Sequence, residues 1–265
     1  QQLTDEPLGV ESFRFAKSAP VLALFAPVLT GVEHDKQRET ASERRKKHTS
    51  ARHFRQQPVR HWDHWLHQNE NMADTHLIAY GADGTSRVDL TPEAKLELSI
   101  EPAFDISADG KQVAVTWQTP GQDRETDSAI RLIDVATKAA RMLGAATNTN
   151  NEAPLFSPDG RTLAVVRSTR YSTKAVRPTL TLIDLATGTM RAIGTALDAW
   201  PNPGDWTADG RQIVFTADLG GHVPVFTVDV ASNKVDLITA TRSGGAHSDV
   251  CGLKDGRIVG IRSTF

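Results

Sequence analysis

The segment Pro58–His67 holds the residue types best suited to chemistry. Its three histidines lie at positions 61, 64 and 67, with Asp63 among them. Histidine and aspartate are common ligands of zinc, so a metal site is one interpretation of this segment. On a helix, however, residues i and i+6 point well apart, and on a strand residue i+3 lies on the opposite face. The three histidines therefore cannot converge easily, and we predict no metal site.

Two other interpretations of this segment remain open. Trp62 and Trp65 could anchor it by burying their large rings, with Arg60 and Asp63 paired to fix its pose. Alternatively, the segment lines the mouth of a cavity and contacts a substrate. In that case Arg60 is the best candidate to pair with a peptide carboxylate or carbonyl. The wall around it would be shaped by Trp62, Asp63 and His64.

No complete catalytic or cofactor-binding motif occurs in the sequence. It lacks the Gly-x-Ser-x-Gly elbow of α/β-hydrolases, and it lacks phosphate-loop, dinucleotide-binding and zinc-protease motifs. The stretch nearest to an elbow, Gly244–Ser248, has the wrong spacing, so His247 and Ser248 are expected in the loop that enters the last repeat. Cys251 is expected to be a buried small hydrophobe and not a reactive thiol. We predict no catalytic residues and no cofactor in this chain.

Composition places the chain among ordinary globular proteins. Hydrophobic residues make up 39% of its 265 residues, charged residues make up 23%, and the net charge is −2. Such a balance predicts neither nucleic acid nor a membrane as a partner. The longest apolar stretch, Ala19–Val32, is broken by two prolines and a glycine and is too short to span a bilayer. A single cysteine excludes an internal disulfide and fits a reducing compartment, which predicts a cytoplasmic location.

A turn signature recurs at nearly constant spacing. Its Asp-Gly pairs begin at Asp109, Asp159, Asp209 and Asp255, which are 50, 50 and 46 residues apart. Aspartate and glycine tolerate the positive φ angles of tight turns, so Asp-Gly between extended segments predicts a hairpin. A β-rich run follows each pair; these runs are Gln112–Trp117, Thr162–Arg167, Gln212–Ala217 and Ile258–Ile261.

A second signature completes each repeat. A third strand leads through a small polar turn into a short final strand. The third strands are Arg131–Val135, Thr181–Leu185 and Phe226–Val230, and the final strands are Ala140–Leu143, Met190–Ile193 and Val235–Thr239. Four short strands per period of about 45–50 residues are typical of a propeller blade. The second strands are almost wholly apolar, as expected between neighbouring blades, while the final strands alternate, as expected at an edge with one wet face. The sequence therefore predicts an all-β fold, a β-propeller of four-stranded antiparallel blades.

Divergent copies of the repeat precede Asp109. An inner hairpin is predicted from Phe13–Ala16 and Val21–Phe25, a third strand from Thr75–Ala79, and an outer turn from Asp83-Gly84. The blades are predicted to end at Leu3, Leu90, Leu143, Ile193 and Ile238. These ends divide one domain, residues 1–265, into about four blades and a partial fifth. The 87 residues between the first two ends indicate an insertion in the first blade.

Residues 33–71 form this insertion, and their composition predicts a helix with a basic face. Lysine and arginine are dense between 35 and 55, notably in Arg44–Lys47, with Glu39 and Glu43 nearby as helix-supporting charges. A solvated helix is the simplest interpretation, and a contact surface for another domain or an acidic partner is the alternative. Nucleic-acid binding is disfavoured because four clustered basic residues on a net acidic chain, without aromatic platforms, are a poor match to a nucleic-acid site.

The repeats, seen best in Ser157-Pro158-Asp159-Gly160, resemble those of the Tol-system propeller and of prolyl oligopeptidase family serine peptidases. Three stretches favour the second family: Gln2–Thr4 with Leu8–Phe13, the Pro58–His64 segment after the basic helix, and Leu96–Pro102. Taken together they resemble the N-terminal propeller of acylaminoacyl-peptidase-like and dipeptidyl-aminopeptidase-like members. The resemblance covers nearly the whole chain.

In that family the propeller caps a separate α/β-hydrolase domain that carries a Ser-Asp-His triad, and it admits only short or unfolded peptides. The resemblance implies a substrate-gating, non-catalytic domain of a serine peptidase that hydrolyses short or N-acylated peptides. Its partners would be its own α/β-hydrolase domain, outside these residues, and the peptide substrate. No triad residue can be placed on this sequence.

The rival hypothesis is a stand-alone Tol-like propeller that acts as a protein-binding module. The resembling peptidases usually have seven blades, so the ring formed by this chain is expected to be open. An open propeller exposes two unpaired blade faces, which predicts a homo-oligomer unless other chains cover them.

Overall fold

A computed structural model describes residues 3–47, 73–81, 83–84, 86–98, 102–121, 126–170, 176–239 and 245–264, and the backbone of 60–61 and 64–65. Four antiparallel sheets of four strands follow one another in this part of the chain, and a two-stranded sheet continues the series. The predicted all-β propeller, with four blades and a partial fifth, is confirmed.

The first blade contains the insertion. Its four strands are joined in the order β1-β2-β5-β6, and the helix and a small hairpin lie between β2 and β5 in the sequence. The elements are β1 (Ser12–Phe15), β2 (Val21–Val28), α1 (Gln37–Lys46), β3 (Arg60–His61), β4 (His64–Trp65), β5 (Asp74–Gly81) and β6 (Val88–Asp89).

The later blades are regular meanders, in which each strand pairs with the next. Blade two comprises β7 (Phe104–Ile106), β8 (Gln112–Pro120), β9 (Thr126–Asp134) and β10 (Ala140–Leu143). Blade three comprises β11 (Thr149–Phe156), β12 (Thr162–Thr169), β13 (Thr179–Asp184) and β14 (Met190–Ile193). Blade four comprises β15 (Pro201–Trp206), β16 (Gln212–Ala217), β17 (Val225–Asp229) and β18 (Val235–Leu237), and the partial fifth comprises β19 (Ala246–Gly252) and β20 (Ile258–Ser263).

The predicted Asp-Gly hairpins are held by a local hydrogen-bond network. In blade three, the Ser157 hydroxyl donates to Asp159 Oδ1 at 2.6 Å, and the same carboxylate oxygen accepts the Arg161 N–H at 3.0 Å. These donors stabilise the ionised form, so they hold the pKa of Asp159 below its ordinary value. Gly160 takes a φ of 68°, which an L side chain would strain. Since every bond joins residues close in sequence, the turn can form without help from the rest of the fold.

Blades pack face to face through apolar side chains. Phe25 of the first blade meets Phe104 of the second edge to face, with ring centroids 4.6 Å apart. Trp206 of the fourth blade is 2% exposed and donates its indole N–H to the Leu155 carbonyl of the third at 3.2 Å. Burial of each large side chain contributes roughly 1.5–3 kcal/mol. The core is therefore a series of layers between neighbouring blades.

The helix of the insertion is anchored at its start and solvated at its end. Gln37 accepts the Leu29 N–H at 2.7 Å and donates to the Val32 carbonyl at 2.8 Å. Ala41 is fully buried against Leu29, whereas the basic residues at the end of the helix are exposed. This agrees with the predicted basic face, although the helix is only ten residues long.

Glu6 ties the N-terminal segment to the outer strands of the first blade. Its buried carboxylate accepts the Tyr80 hydroxyl and pairs with Arg87, whose Nε lies 2.9 Å from Oε1. Burial raises the pKa of Tyr80, and the bond to Glu6 raises it further because the phenol donates the proton.

The final strand of blade four departs from the predicted alternation. It ends at Leu237, not at Thr239, and both Leu237 and Ile238 are about half exposed, at 45% and 47%. The fifth sheet has only two strands, so no outer strand of a following blade covers these side chains.

Among the helices in the described part of the chain, none has the length and apolar character that a membrane span needs.

A candidate functional site on the propeller axis

A cavity of about 330 Å³ lies where the first strands of the five blades meet. Each of these strands contributes a residue from the same place in the repeat, two positions before the residue that opens the hairpin turn. These five axial residues are Arg14, Asp105, Leu155, Asp205 and Cys251. The blades thus surround their common axis with side chains of different chemistry.

Bulges in the first strands direct the chain towards the axis. The pairing register shifts between Glu152 and Leu155 in β11 and between Ser248 and Cys251 in β19. Ala153 and Asp249, inside these bulges, have φ of 50°, which non-glycine residues seldom adopt. A bulge bends a strand and re-aims its side chains, which here brings Leu155 and Cys251 to the cavity that Arg14 and Asp105 line from strands in regular register.

The corresponding bulge of β15 contains Gly204, and here a close approach requires glycine. A Cβ on Gly204 would lie 2.2 Å from the Val250 carbonyl oxygen of β19. Real carbon atoms do not approach a carbonyl so closely, so the fourth and fifth blades can pack together only where this side chain is absent. The register shift lies between Pro203 and Asp205, next to the axial carboxylate.

An ion pair crosses the axis. The Lys17 ammonium, from the β1–β2 turn of the first blade, lies 2.8 and 2.9 Å from the two carboxylate oxygens of Asp205 in the fourth. A second basic residue of the first blade, Arg14, faces the second blade, with its Nε 4.0 Å from Asp105 Oδ1. The first blade therefore supplies two cations, and the second and fourth blades supply their acidic partners.

Asp105 is an axial carboxylate whose pKa is raised. Burial raises its pKa to about 6, while the Phe156 N–H, at 2.8 Å from Oδ2, and the nearby Arg14 oppose the rise. Desolvation outweighs these contacts, because the Arg14 pair is long and Arg14 itself is half exposed. The charge of the axial cavity therefore changes near neutral pH.

This arrangement is suited to selecting a ligand by shape and charge. Asp249, which also lines the cavity, accepts the Ser248 hydroxyl at 2.9 Å. Among the residues that the structure describes, no group of histidine, cysteine, aspartate and glutamate could hold a metal ion. Charged groups such as Lys17, Asp105 and Asp205 could bind the polar groups of an extended segment in this cavity.

The pattern that defines the TolB beta propeller domain, PD40, matches residues 65–261, well over half of the chain. The chain belongs to the TolB beta propeller domain family. No curated protein matches the sequence significantly.

Two solved structures superpose on this fold with TM-scores above 0.5, and a third gives a lower score. TolB from Acinetobacter baumannii superposes with a TM-score of 0.54 at 21% identity, over 72% of this chain and 43% of that one. A prolyl endopeptidase, from a study of inter-domain dynamics in catalysis and specificity, superposes with a TM-score of 0.51 at 15% sequence identity. The match covers 69% of this chain and 28% of that one. For an acylaminoacyl peptidase from Pyrococcus horikoshii the TM-score is 0.49 and the sequence identity is 12%, over 87% of this chain and 32% of that one. The chain thus spans less than half the length of each.

Two of the four predicted substrate-contacting residues, Arg60 and His64, lie in β3 and β4. Arg60 pairs with Trp65 across these two strands, and His64 pairs with His61. Trp62 and Asp63 lie outside the described residues, as do the side chains of Arg60 and His64. The four stay a prediction, and the described lining of the axial cavity comes from other residues.

Two expectations about the last repeat were wrong. His247 and Ser248 lie within β19, not in a loop before it, and His247 Nδ1 lies 2.8 Å from the Val223 carbonyl. Cys251 is half-buried and lines the cavity, although it was expected in the core. Its place two positions before the turn, where Asp105 and Asp205 also lie, is the signal that could have identified the axial residues.

Proposed function

We propose that this chain is the substrate-gating, non-catalytic propeller of a serine peptidase that hydrolyses short or N-acylated peptides. Its main partner would be an α/β-hydrolase domain outside these 265 residues, in the cytoplasm. The observation that carries the proposal is the axial cavity, lined by the first strands of all five blades and crossed by the Lys17–Asp205 ion pair.

The physical basis of the gate is exclusion by size. Once its two open faces are covered in the whole peptidase, a ring of blades joined by buried apolar layers would not widen enough to pass a folded domain, whereas an extended peptide needs only the width of one chain. Charged groups on the axis can then discriminate among the peptides that fit. The segment that contains Arg60, Trp62, Asp63 and His64 is proposed to contact the peptide where it enters.

The parent polypeptide provides the first test. An antibody against this chain and a fluorophosphonate probe for active serines are applied to the natural cell extract. We expect one band that carries both signals and is much larger than the 28.8 kDa of this chain. A band near 28.8 kDa that does not react with the probe would contradict the peptidase proposal.

The intact peptidase provides the second test. We expect Arg60→Ala to lower kcat/KM for short peptides by about tenfold, the effect of losing one charged hydrogen bond of about 1.4 kcal/mol. Arg45→Ala is the matched control, because Arg45 lies in the same insertion on the exposed end of α1. Unchanged kcat/KM and unchanged folding in Arg60→Ala would remove Arg60 from the site.

A Tol-like protein-binding module is the second candidate, and the match to the TolB beta propeller domain favours it. Such a module would bind a protein partner on the flat end of the ring and would need no hydrolase domain. The extract experiment separates the two candidates, because only the peptidase propeller is covalently joined to a reactive serine.

A further inference from the structure

The first blade departs from the repeat at the turn that faces the axis. In the later blades this hairpin turn contains Asp-Gly, and its carboxylate bonds within the turn, as in the pair Ser107–Asp109 at 2.7 Å. In the first blade the turn reads Lys17-Ser18-Ala19, with neither aspartate nor glycine. The turn thus carries the long basic side chain of Lys17, which pairs with the distant Asp205 and does not hold the turn together.

The base of this turn is fixed by backbone hydrogen bonds, while the Lys17 side chain is held only by its pair with Asp205 in the described structure. The Ser18 N–H donates to the Ala108 carbonyl of the second blade at 2.8 Å, and the Ala16 N–H donates to the Val21 carbonyl at 2.9 Å. The Lys17 side chain is 57% exposed and reaches from this anchored turn to Asp205, 188 residues away. It spans the cavity from the first blade to the fourth.

We propose that Lys17 is a latch that closes the axial cavity, and that separation of its ammonium from Asp205 opens the cavity to a peptide. The role in admitting peptides rests on the proposed function, whereas the latch itself rests on the geometry of the cavity. The pair joins two blades that are not neighbours in the ring, so its separation disturbs no blade-to-blade layer.

The strength of the pair suits a latch. An ion pair with one exposed partner is worth about 0–1 kcal/mol, because water and salt screen it and the lysine loses side-chain entropy. Such a pair opens often at room temperature, and a polar group of an incoming peptide can replace the lysine. Asp205 is held ready for the next closure, since its Oδ1 also accepts the Trp206 N–H at 2.8 Å.

The chain contains a reporter for the opening. Cys251 is its only cysteine, is half-buried, and lines the same cavity as Lys17 and Asp205. Its rate of reaction with N-ethylmaleimide depends on the reactivity of the thiol and on its exposure to a small reagent. Its rate with a polyethylene glycol maleimide also depends on the width of the opening. The rate with the bulky reagent divided by the rate with the small reagent should therefore rise when the Lys17–Asp205 pair separates.

The experiment compares this ratio in the 265-residue chain and its variants. We expect Lys17→Ala and Asp205→Asn each to raise the ratio by about threefold, the opening expected from loss of an exposed ion pair. Lys111→Ala is the matched control, because Lys111 follows the equivalent turn of the second blade and pairs locally with Asp109 at 3.6 Å. Thermal unfolding of each variant establishes that it is folded.

A salt titration tests the wild-type chain without any substitution. Salt screens the pair, so the ratio should rise with ionic strength in the wild type and stay constant in Lys17→Ala. Equal ratios in Lys17→Ala and Lys111→Ala, or a wild-type ratio insensitive to salt, would overturn the latch. Because no hydrolase domain is present, this failure would leave the proposed gating function untouched, and failure of the fluorophosphonate experiment would leave the latch untouched.

Discussion

At the residue scale, Asp105 shows that a buried charge on the axis lowers the stability of the fold. Its side chain is 17% exposed, and its pKa is raised to about 6 from an ordinary value of 3.8. Between these two values the folded state holds the proton more tightly than the unfolded state. Stability therefore falls as the pH rises from about 4 to about 6 and stays at the lower level above it. A buried carboxylate that costs stability is common at functional sites.

The variant Asp105→Asn tests this cost. The amide oxygen still accepts the Phe156 N–H but cannot ionise, so we expect a gain of about 1–3 kcal/mol in unfolding free energy at pH 7. The excess stability of the wild type at low pH, measured by urea unfolding at several pH values, should be absent. Asp198→Asn is the control, since Asp198 is 98% exposed and pairs only with a surface arginine in the described structure. A variant less stable than the wild type at pH 7 would contradict the raised pKa.

At the element scale, the first strands have two structural roles, pairing within the blade and presenting side chains to the axis, and these roles partly conflict. All of the first strands pair with the second strands to hold the blade, and three of them, β11, β15 and β19, also bulge next to their axial residues. The cost of the bulge is visible in the positive φ of Ala153 and Asp249 and in the absence of any side chain at Gly204. Two of these positions, Gly204 and Asp249, line the cavity, as expected where function opposes regular structure.

The variant Gly204→Ala tests the close approach between blades four and five. We expect a loss of about 2–3 kcal/mol in unfolding free energy, because the new methyl group would overlap the Val250 carbonyl. Hydrogen exchange should become faster in β19, which loses its packing partner first. Gly188→Ala is the comparison, since Gly188 has a φ of 75° in open space and should cost only about 1 kcal/mol. Equal losses in the two variants would show that backbone conformation, not the approach of the blades, decides both.

At the scale of the whole molecule, the described ring has two open faces. On the first blade, Phe13 and Phe15 are 60% and 47% exposed on the face turned away from blade two. On the fifth, Val259 and Ile261 are 44% and 61% exposed on β20, the edge of a two-stranded sheet. Each blade interior buries such side chains against a neighbour. The isolated chain is therefore predicted to self-associate through these faces.

The variants Phe13→Ser and Ile261→Ser test this association. Each removes an apolar anchor from one face, so we expect the apparent mass in sedimentation velocity at micromolar concentration to shift towards 28.8 kDa. Met142→Ser is the control, because Met142 is also exposed, at 41%, but lies on the last strand of a complete blade. Self-association that responds equally to all three substitutions would contradict an interface at the open faces.

Sequence alone determined the parts of this protein that are local. The hairpins around Asp109, Asp159 and Asp209 could be predicted because their hydrogen bonds join residues two to five positions apart. Two final strands, Ala140–Leu143 and Met190–Ile193, have the predicted bounds for the same reason. The blade count follows from the period, and the period follows from those turns.

Only the tertiary structure decided the candidate site. Lys17 and Asp205 are 188 residues apart, and no local pattern predicts that they meet. Cys251 has the sequence of a core residue, yet it lines the cavity because the bulge in β19 re-aims the strand. Turns and strands depend on neighbours along the chain, whereas the axis is formed by residues that come together only when five blades pack.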